Sequence, residues 1–380
     1  MRFSVSFTAA ALACGLLLSG APAQTLEWTD DPPSLAPLMP AGIQMNGTAA
    51  LTIGGREFVY IIGGNKSTDA GGDTTAIHYA PMEAGRPGTW QEATARLERG
   101  GTTYHTRSTV SFAGRIYVVG GRLNQEGDYS TPYNGIRVFL PEETGDITAE
   151  NVTYYTGEAG GIVPASEPPL DLLEMAAVVS GSRVHPGDGI LYVLGGGLGD
   201  TESDAVRSFR IDGESGRIVG AGPGRELAFA FKRLEPLPEP TAFHQAVLHE
   251  GRIYVAGNNP PSTAVYYSGI LDDDTLGPWE TASAPLPEVR LDAAAASFDG
   301  DLYVLGGTAG TNADTRNTVF RAVFGEDGDI EAWEEDAPVP LEPGFRRVGA
   351  TVTQESLLII GGRRSDDGFT PSVQVGRRVD

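Results

Sequence analysis

Cysteine is almost missing from this 380-residue chain, Cys14 being the one example. A single thiol excludes an internal disulfide framework, and the cysteine–histidine spacings of zinc sites do not occur. Histidine is scarce as well, with five residues. The third shortage is positive charge: 27 Lys and Arg stand against 50 Asp and Glu, a formal net charge of −23. Such a balance repels nucleic acid and anionic membrane surfaces, so no nucleic-acid partner and no membrane insertion are expected. Beyond the first residues there is no long apolar run and no sustained helical periodicity. No serine–histidine–aspartate spacing and no glycine-rich phosphate loop opening a helix appears either.

The first 23 residues read as a targeting segment. Arg2 gives a positive start, Val5 to Leu18 is mostly apolar, and Ala21-Pro22-Ala23 forms a small-x-small cleavage site before Gln24. Residues 1–23 are therefore expected to be a signal peptide, and residues 24–380 one domain that is periplasmic or secreted. Ala11-Leu12-Ala13-Cys14 loosely follows a lipoprotein cleavage box, but Leu16-Leu17-Leu18 continues the apolar run past the cysteine. Cleavage after Ala23 removes Cys14 and leaves no thiol. It also removes Arg2 and makes the net charge one unit more negative.

What the chain has is a repeat. Six apolar runs end in paired glycines or a close relative of that pair: 59–64, 116–121, 191–196, 253–258, 302–307 and 357–362. Their first glycines are about 60 residues apart, a strand-rich period that signals a radially repeated β-structure. The fifth unit shows the order most fully. An inner strand at 290–299 leads to LYVLGG, then to a third strand at 317–324, the turn Gly325-Glu326-Asp327-Gly328 and an outer strand with Trp333. Four antiparallel strands per unit make one propeller blade. After the sixth glycine pair only one strand remains (372–378), while residues 26–40 repeat the outer-strand pattern with Trp28. A six-bladed, all-β propeller follows, its last blade closed by the N-terminal strand.

The glycine pairs, the tyrosine before five of them (Tyr60, Tyr117, Tyr192, Tyr254, Tyr303) and the outer-strand tryptophans resemble Kelch-repeat β-propellers over essentially the whole mature chain. The segments DDDTLGPW and GEDGDIEAW look most like exported bacterial Kelch proteins, which share the central propeller of galactose oxidase. The resemblance implies a binding module. A mature chain without cysteine lacks the cysteine–tyrosine link that the copper site of that oxidase needs, so no cofactor is expected.

In such a fold the loops leading into the inner strands gather near the axis at one face. Counting back from the glycines, they carry Asn46, Tyr104-His105-Thr106-Arg107, Glu174, Phe243-His244-Gln245, Arg290-Leu291-Asp292 and Phe345-Arg346-Arg347. Arg107, Arg290, Arg346 and Arg347, with Asp292 among them, are candidates to bind a ligand, since guanidinium grips carboxylate through paired hydrogen bonds. The alternative, that arginines at this place tie neighbouring blades together, stays open. His105, Glu174 and His244 are candidate proton-transfer groups. Asp272-Asp273-Asp274 and Glu326-Asp327-Gly328-Asp329 lack the alternating ligand order of a calcium loop and read as turns, so no metal is expected. An acidic peptide, a glycan or an exported protein would suit the arginine-bearing face, on a chain expected to be monomeric. The second reading, a mutarotase or epimerase of a sialic-acid-like sugar, would use the same face and resembles the periplasmic Kelch enzymes that interconvert sialic acid anomers.

Overall fold

Every apolar run ending in glycine is the second strand of an antiparallel sheet. The computed structural model describes residues 25–378 except 31–34, 36–37, 40–41, 67–73, 98–102, 105–107, 126–127, 133–134, 157–173, 199–200, 221–230, 258–259, 311–313, 342–343 and 366–367. Blade 1 runs from the axis outward as Gly47–Ile53, Arg56–Ile62 and Ala76–Glu83, with Arg86–Pro87 and Gln91–Arg96 on its outer edge. Blade 2 is Thr109–Phe112, Arg115–Val119, Gly135–Phe139 and Val152–Thr156, and blade 3 is Ala176–Gly181, Gly189–Leu194, Val206–Ile211 and Phe231–Arg233. Blade 4 comprises Gln245–His249, Arg252–Ala256, Tyr266–Gly269 and Glu280–Thr281, and blade 5 Ala294–Phe298, Asp301–Leu305, Val319–Phe324 and Ile330–Asp336. Blade 6 takes Gly349–Val352, Leu357–Ile360 and Val373–Arg378 from the C-terminal end of the chain. Its outer strand is Leu26–Asp30 from the N-terminal end, in register from Leu26↔Arg378 to Asp30↔Gln374. Each inner strand contacts the inner strands of both neighbours, and the circle closes between blades 6 and 1. The propeller has six blades, as the repeat requires.

Both faces of every blade are covered, so the second strands read as continuous apolar runs rather than alternating ones. The core is divided accordingly. Six hydrophobic clusters fill the six seams between neighbouring blades, from the Phe58–Tyr79–Phe139 group of blades 1 and 2 to the Ile61–Trp90–Leu358 group of blades 6 and 1.

Polar tethers cross the same seams in both directions. In blades 1 to 4 the tyrosine of the second strand donates its hydroxyl to a turn of the next blade: Tyr60 to Gly145 O (2.8 Å), Tyr117 to Gly216 O (2.9 Å), Tyr192 to Asp274 O (3.0 Å) and Tyr254 to Gly328 O (2.6 Å). In blade 6 the third and outer strands come from opposite ends of the chain and no turn joins them, and Tyr303 bonds to Asp301 instead. Blade 6 itself carries Leu358 in place of tyrosine, and Ser356 reaches the blade 1 turn at Gly85 O (2.5 Å). The outer tryptophans point back: Trp28 bonds to Ala337 O (3.0 Å), Trp333 to Ala284 O (3.1 Å) and Trp279 to Glu235 O (3.1 Å).

The acidic turns serve the same purpose. Asp146 accepts bonds from Thr94 of blade 1, Asp274 from Ser182 and Arg183 of blade 3, and Asp329 from Ser283 of blade 4. Part of the negative charge is therefore structural. Among the described residues no three or more His, Cys, Asp or Glu gather as a metal site would, and no helix is long and apolar enough to cross a membrane.

Candidate functional site: the glycine face of the propeller

The glycine pair lets the next blade come close. Gly257 has φ +76°, and a Cβ there would lie 2.5 Å from the Arg290 carbonyl oxygen that leads into blade 5. The same contact joins Gly195 to Thr241 and Gly361 to Ile43. The second strands thereby end where the inner-strand loops of their neighbours begin, and this gathers the loops on one face.

In five blades the residue two positions ahead of the inner strand is left-handed: Met45 (φ 56°), Glu174 (58°), Phe243 (56°), Asp292 (56°) and Arg347 (57°). The counterpart in blade 2 falls within residues 105–107, outside the described residues. None of the five is glycine, and αL costs a side-chain-bearing residue about 1–2 kcal/mol. Backbone bonds between blades offset part of that cost: Met45 N–H donates to Arg347 O (2.8 Å), and Arg347 N–H to Asp292 O (3.0 Å). The sequence expectation of an unbroken inner strand at 290–299 therefore needs correcting, since the strand is Ala294–Phe298 and Asp292 forms the kink. The kink at Arg347 likewise removes Arg346 and Arg347 from the simple alternation of a strand.

The arginine candidates differ in environment. The Arg290 side chain is 0 % exposed, pairs with Glu288 (2.7 Å), donates to Thr318 and lies over the Phe320 ring at 4.7 Å. Burial pushes its pKa down to about 10, against the opposing pull of Glu288. Glu288 also holds Arg316 (3.2 Å), which pairs with Asp314. Asp292 sits between two guanidinium groups, with Arg347 Nε at 2.8 Å and Arg346 at 3.5 Å. Arg346 is buried and exchanges backbone bonds with Arg363, whose guanidinium lies over Phe369. Arg347 keeps 18 % of its side chain exposed.

Of the proton-transfer candidates, His105 lies outside the described residues, as does the ligand candidate Arg107. Glu174 is buried at the left-handed position of blade 3. His244 is buried in the seam between blades 3 and 4, its ring against Gly195. Asn46 is buried beside Gly349 at the seam of blades 6 and 1, and its amide makes no hydrogen bond to any described residue.

Sequence reasoning missed Glu288, Arg316 and Arg363. Glu288 lies just ahead of Arg290 on the loop leading into blade 5, while Arg316 and Arg363 follow the glycine pairs of blades 5 and 6. It also missed two small sheets on this face. One pairs Thr103–Tyr104 with Arg122–Gln125 and Asp128–Pro132, and the other joins Gly197–Leu198 to Thr201–Glu202.

Comparison with known proteins adds two likenesses. Beta-scruin of Limulus polyphemus is 24% identical over 141 residues, which take in 37% of this chain and 15% of that protein. The solved structure of YjhT superposes with a TM-score of 0.58 at 16% identity, over 90% of this chain and 96% of that one. The chain fits a Kelch-type propeller. No protein-family model matches it. At such identities the Kelch likeness concerns the fold alone, and the matched stretch spans well under two thirds of beta-scruin.

Proposed function

We propose that this Kelch-type propeller is an exported binding protein, with residues 1–23 as its signal peptide. Its glycine face would take the carboxylate of an acidic peptide or glycan, presented free or on an exported protein. The observation that carries this reading is the Arg346–Asp292–Arg347 group. In a chain with net charge −23, Arg347 stays partly open to solvent at the left-handed position of blade 6, with Arg363 and Arg364 on the adjoining connection. A guanidinium has five donors in a rigid fork, and Arg347 contacts Asp292 through Nε. Its two terminal nitrogens suit a carboxylate bound from outside. Asn46, with its unbonded amide one seam away, would hydrogen-bond a neutral polar group of the same ligand.

A second reading rests on Glu174. This buried carboxyl occupies in blade 3 the left-handed position that Asp292 and Arg347 occupy in blades 5 and 6. An acid–base group and a cationic clamp around one ring are what anomer exchange of a sugar acid requires, and His105 and His244 would be its partners.

The experiment is a thermal-shift screen of residues 24–380 against acidic and neutral monosaccharides and acidic peptides. A ligand held at a hundredfold over its dissociation constant adds about 2.7 kcal/mol. A shift seen with acids alone and lost in Arg347→Ala supports the binding reading. Anomer exchange lost in Glu174→Gln, with binding retained, supports the second. If neither acids nor peptides shift the melting, both readings fail.

A further inference from the structure

On the opposite face, at the seam of blades 3 and 4, lies a cavity of about 230 Å³ that the proposed function does not use. Four pieces of chain build it: the hairpin around Val184 with Ile190, the paired strands bearing Ser208, Arg210 and Lys232, the segment at Val219, and the Asp272–Asp274 turn of blade 4. Tyr192 ties the turn down through Asp274 O, and Asp274 spends both carboxylate oxygens on Ser182 and Arg183. The walls are therefore fixed before any ligand arrives.

The lining is polarised. Arg210 and Lys232 stand on the blade 3 wall. Arg210 gives one nitrogen to Asp188 at 3.0 Å, while Lys232 makes no ion pair with any described residue. Asp273 stands on the blade 4 wall, its Oδ1 accepting bonds from Thr275 N–H (3.1 Å) and Thr275 Oγ1 (2.5 Å). Those bonds hold the Asp273 carboxyl below its ordinary pKa, so it is charged at neutral pH. Ile190, Val219 and Val184 supply the apolar part of the lining. Val184 (48 %) and Leu271 (46 %) are two large apolar residues left well exposed, and both belong to this end of the seam.

We propose that this cavity binds a small apolar α-amino acid as its zwitterion. Its carboxylate faces Lys232 and Arg210, its ammonium faces Asp273, and its side chain lies on Val184, Ile190 and Val219. A dianion such as phosphate is disfavoured by Asp273 and Asp188 beside the cations. A simple cation is disfavoured by Lys232 and Arg210. A cavity of about 230 Å³ suits one small metabolite.

The test is calorimetric titration of the full chain with L-leucine, 4-methylpentanoate and 3-methylbutylamine, which share the apolar group and differ in charge. L-Leucine is expected to saturate the protein, with each single-charge analogue at least about tenfold weaker, or 1.4 kcal/mol. Lys232→Met and Asp273→Asn, both at exposed positions, should each weaken L-leucine about tenfold with unchanged melting. Arg347→Ala on the other face should leave it unaltered. No saturation by L-leucine or L-valine, equal binding of the analogues, wild-type affinity in both cavity variants, or loss of binding in Arg347→Ala would each overturn the proposal.

Discussion

Replacing the second-strand tyrosines by phenylalanine one at a time should sort them by what their hydroxyls hold, although their sequence contexts are nearly identical. Tyr60, Tyr117 and Tyr192 are buried, and each donates to a carbonyl of the next blade at 2.8–3.0 Å. Removing the hydroxyl loses a net hydrogen bond of about 0.5–1.5 kcal/mol and leaves a carbonyl with one partner fewer, which adds up to about 1 kcal/mol more. Each Tyr→Phe should therefore cost about 1–2 kcal/mol. Tyr303 is just as buried, yet among the described residues its hydroxyl bonds only to Asp301 Oδ2 at 3.4 Å. Tyr303→Phe should cost less than about 0.5 kcal/mol. Urea unfolding followed by tryptophan fluorescence reads the difference as a fall in midpoint at constant slope. A Tyr303→Phe cost equal to the others, or no cost at Tyr117 and Tyr192, would refute the tether account.

Other outcomes follow from the same geometry. Burial, reinforced by Lys66, pushes the buried His78 down to a pKa of about 4, against about 6.5 when unfolded. The unfolded chain then binds the extra proton between these values, so this contribution is intact above about pH 6.5 and shrinks by up to about 3 kcal/mol as the pH falls to 4. His78→Gln should flatten that part of the stability profile. Gly257→Ala should cost more than about 2 kcal/mol, because it adds left-handed strain to a clash with Arg290 O, and differential scanning calorimetry would show it. Asp292→Asn leaves two neighbouring arginines without their shared carboxylate and should destabilise by about 3 kcal/mol in urea titration.

The ring was legible in the sequence because its parts are local and repeated. Gly257, Tyr192 and Trp333 each mark a contact that recurs in several blades at a fixed distance from an apolar run. Even the closure was readable, since Trp28 repeats Trp333 in a stretch that would otherwise have no sheet. The site was less so. That Asp292 would sit between Arg346 and Arg347 depends on the left-handed kinks at 292 and 347, and neither residue type announces one. Arg290 and Arg346 looked alike in sequence. One turns out to stack on Phe320 inside blade 5, and the other faces Asp292 across a seam. Such differences come from packing between blades, which no local pattern encodes.

The most direct test of a carboxylate-binding glycine face is a paired calorimetric titration of residues 24–380 with glucuronate and glucose, repeated on Arg347→Ala. Binding of glucuronate alone, weakened by salt and reduced at least about tenfold in the variant, is the result expected. Equal affinity for the neutral sugar, or glucuronate binding untouched by Arg347→Ala, would contradict the account.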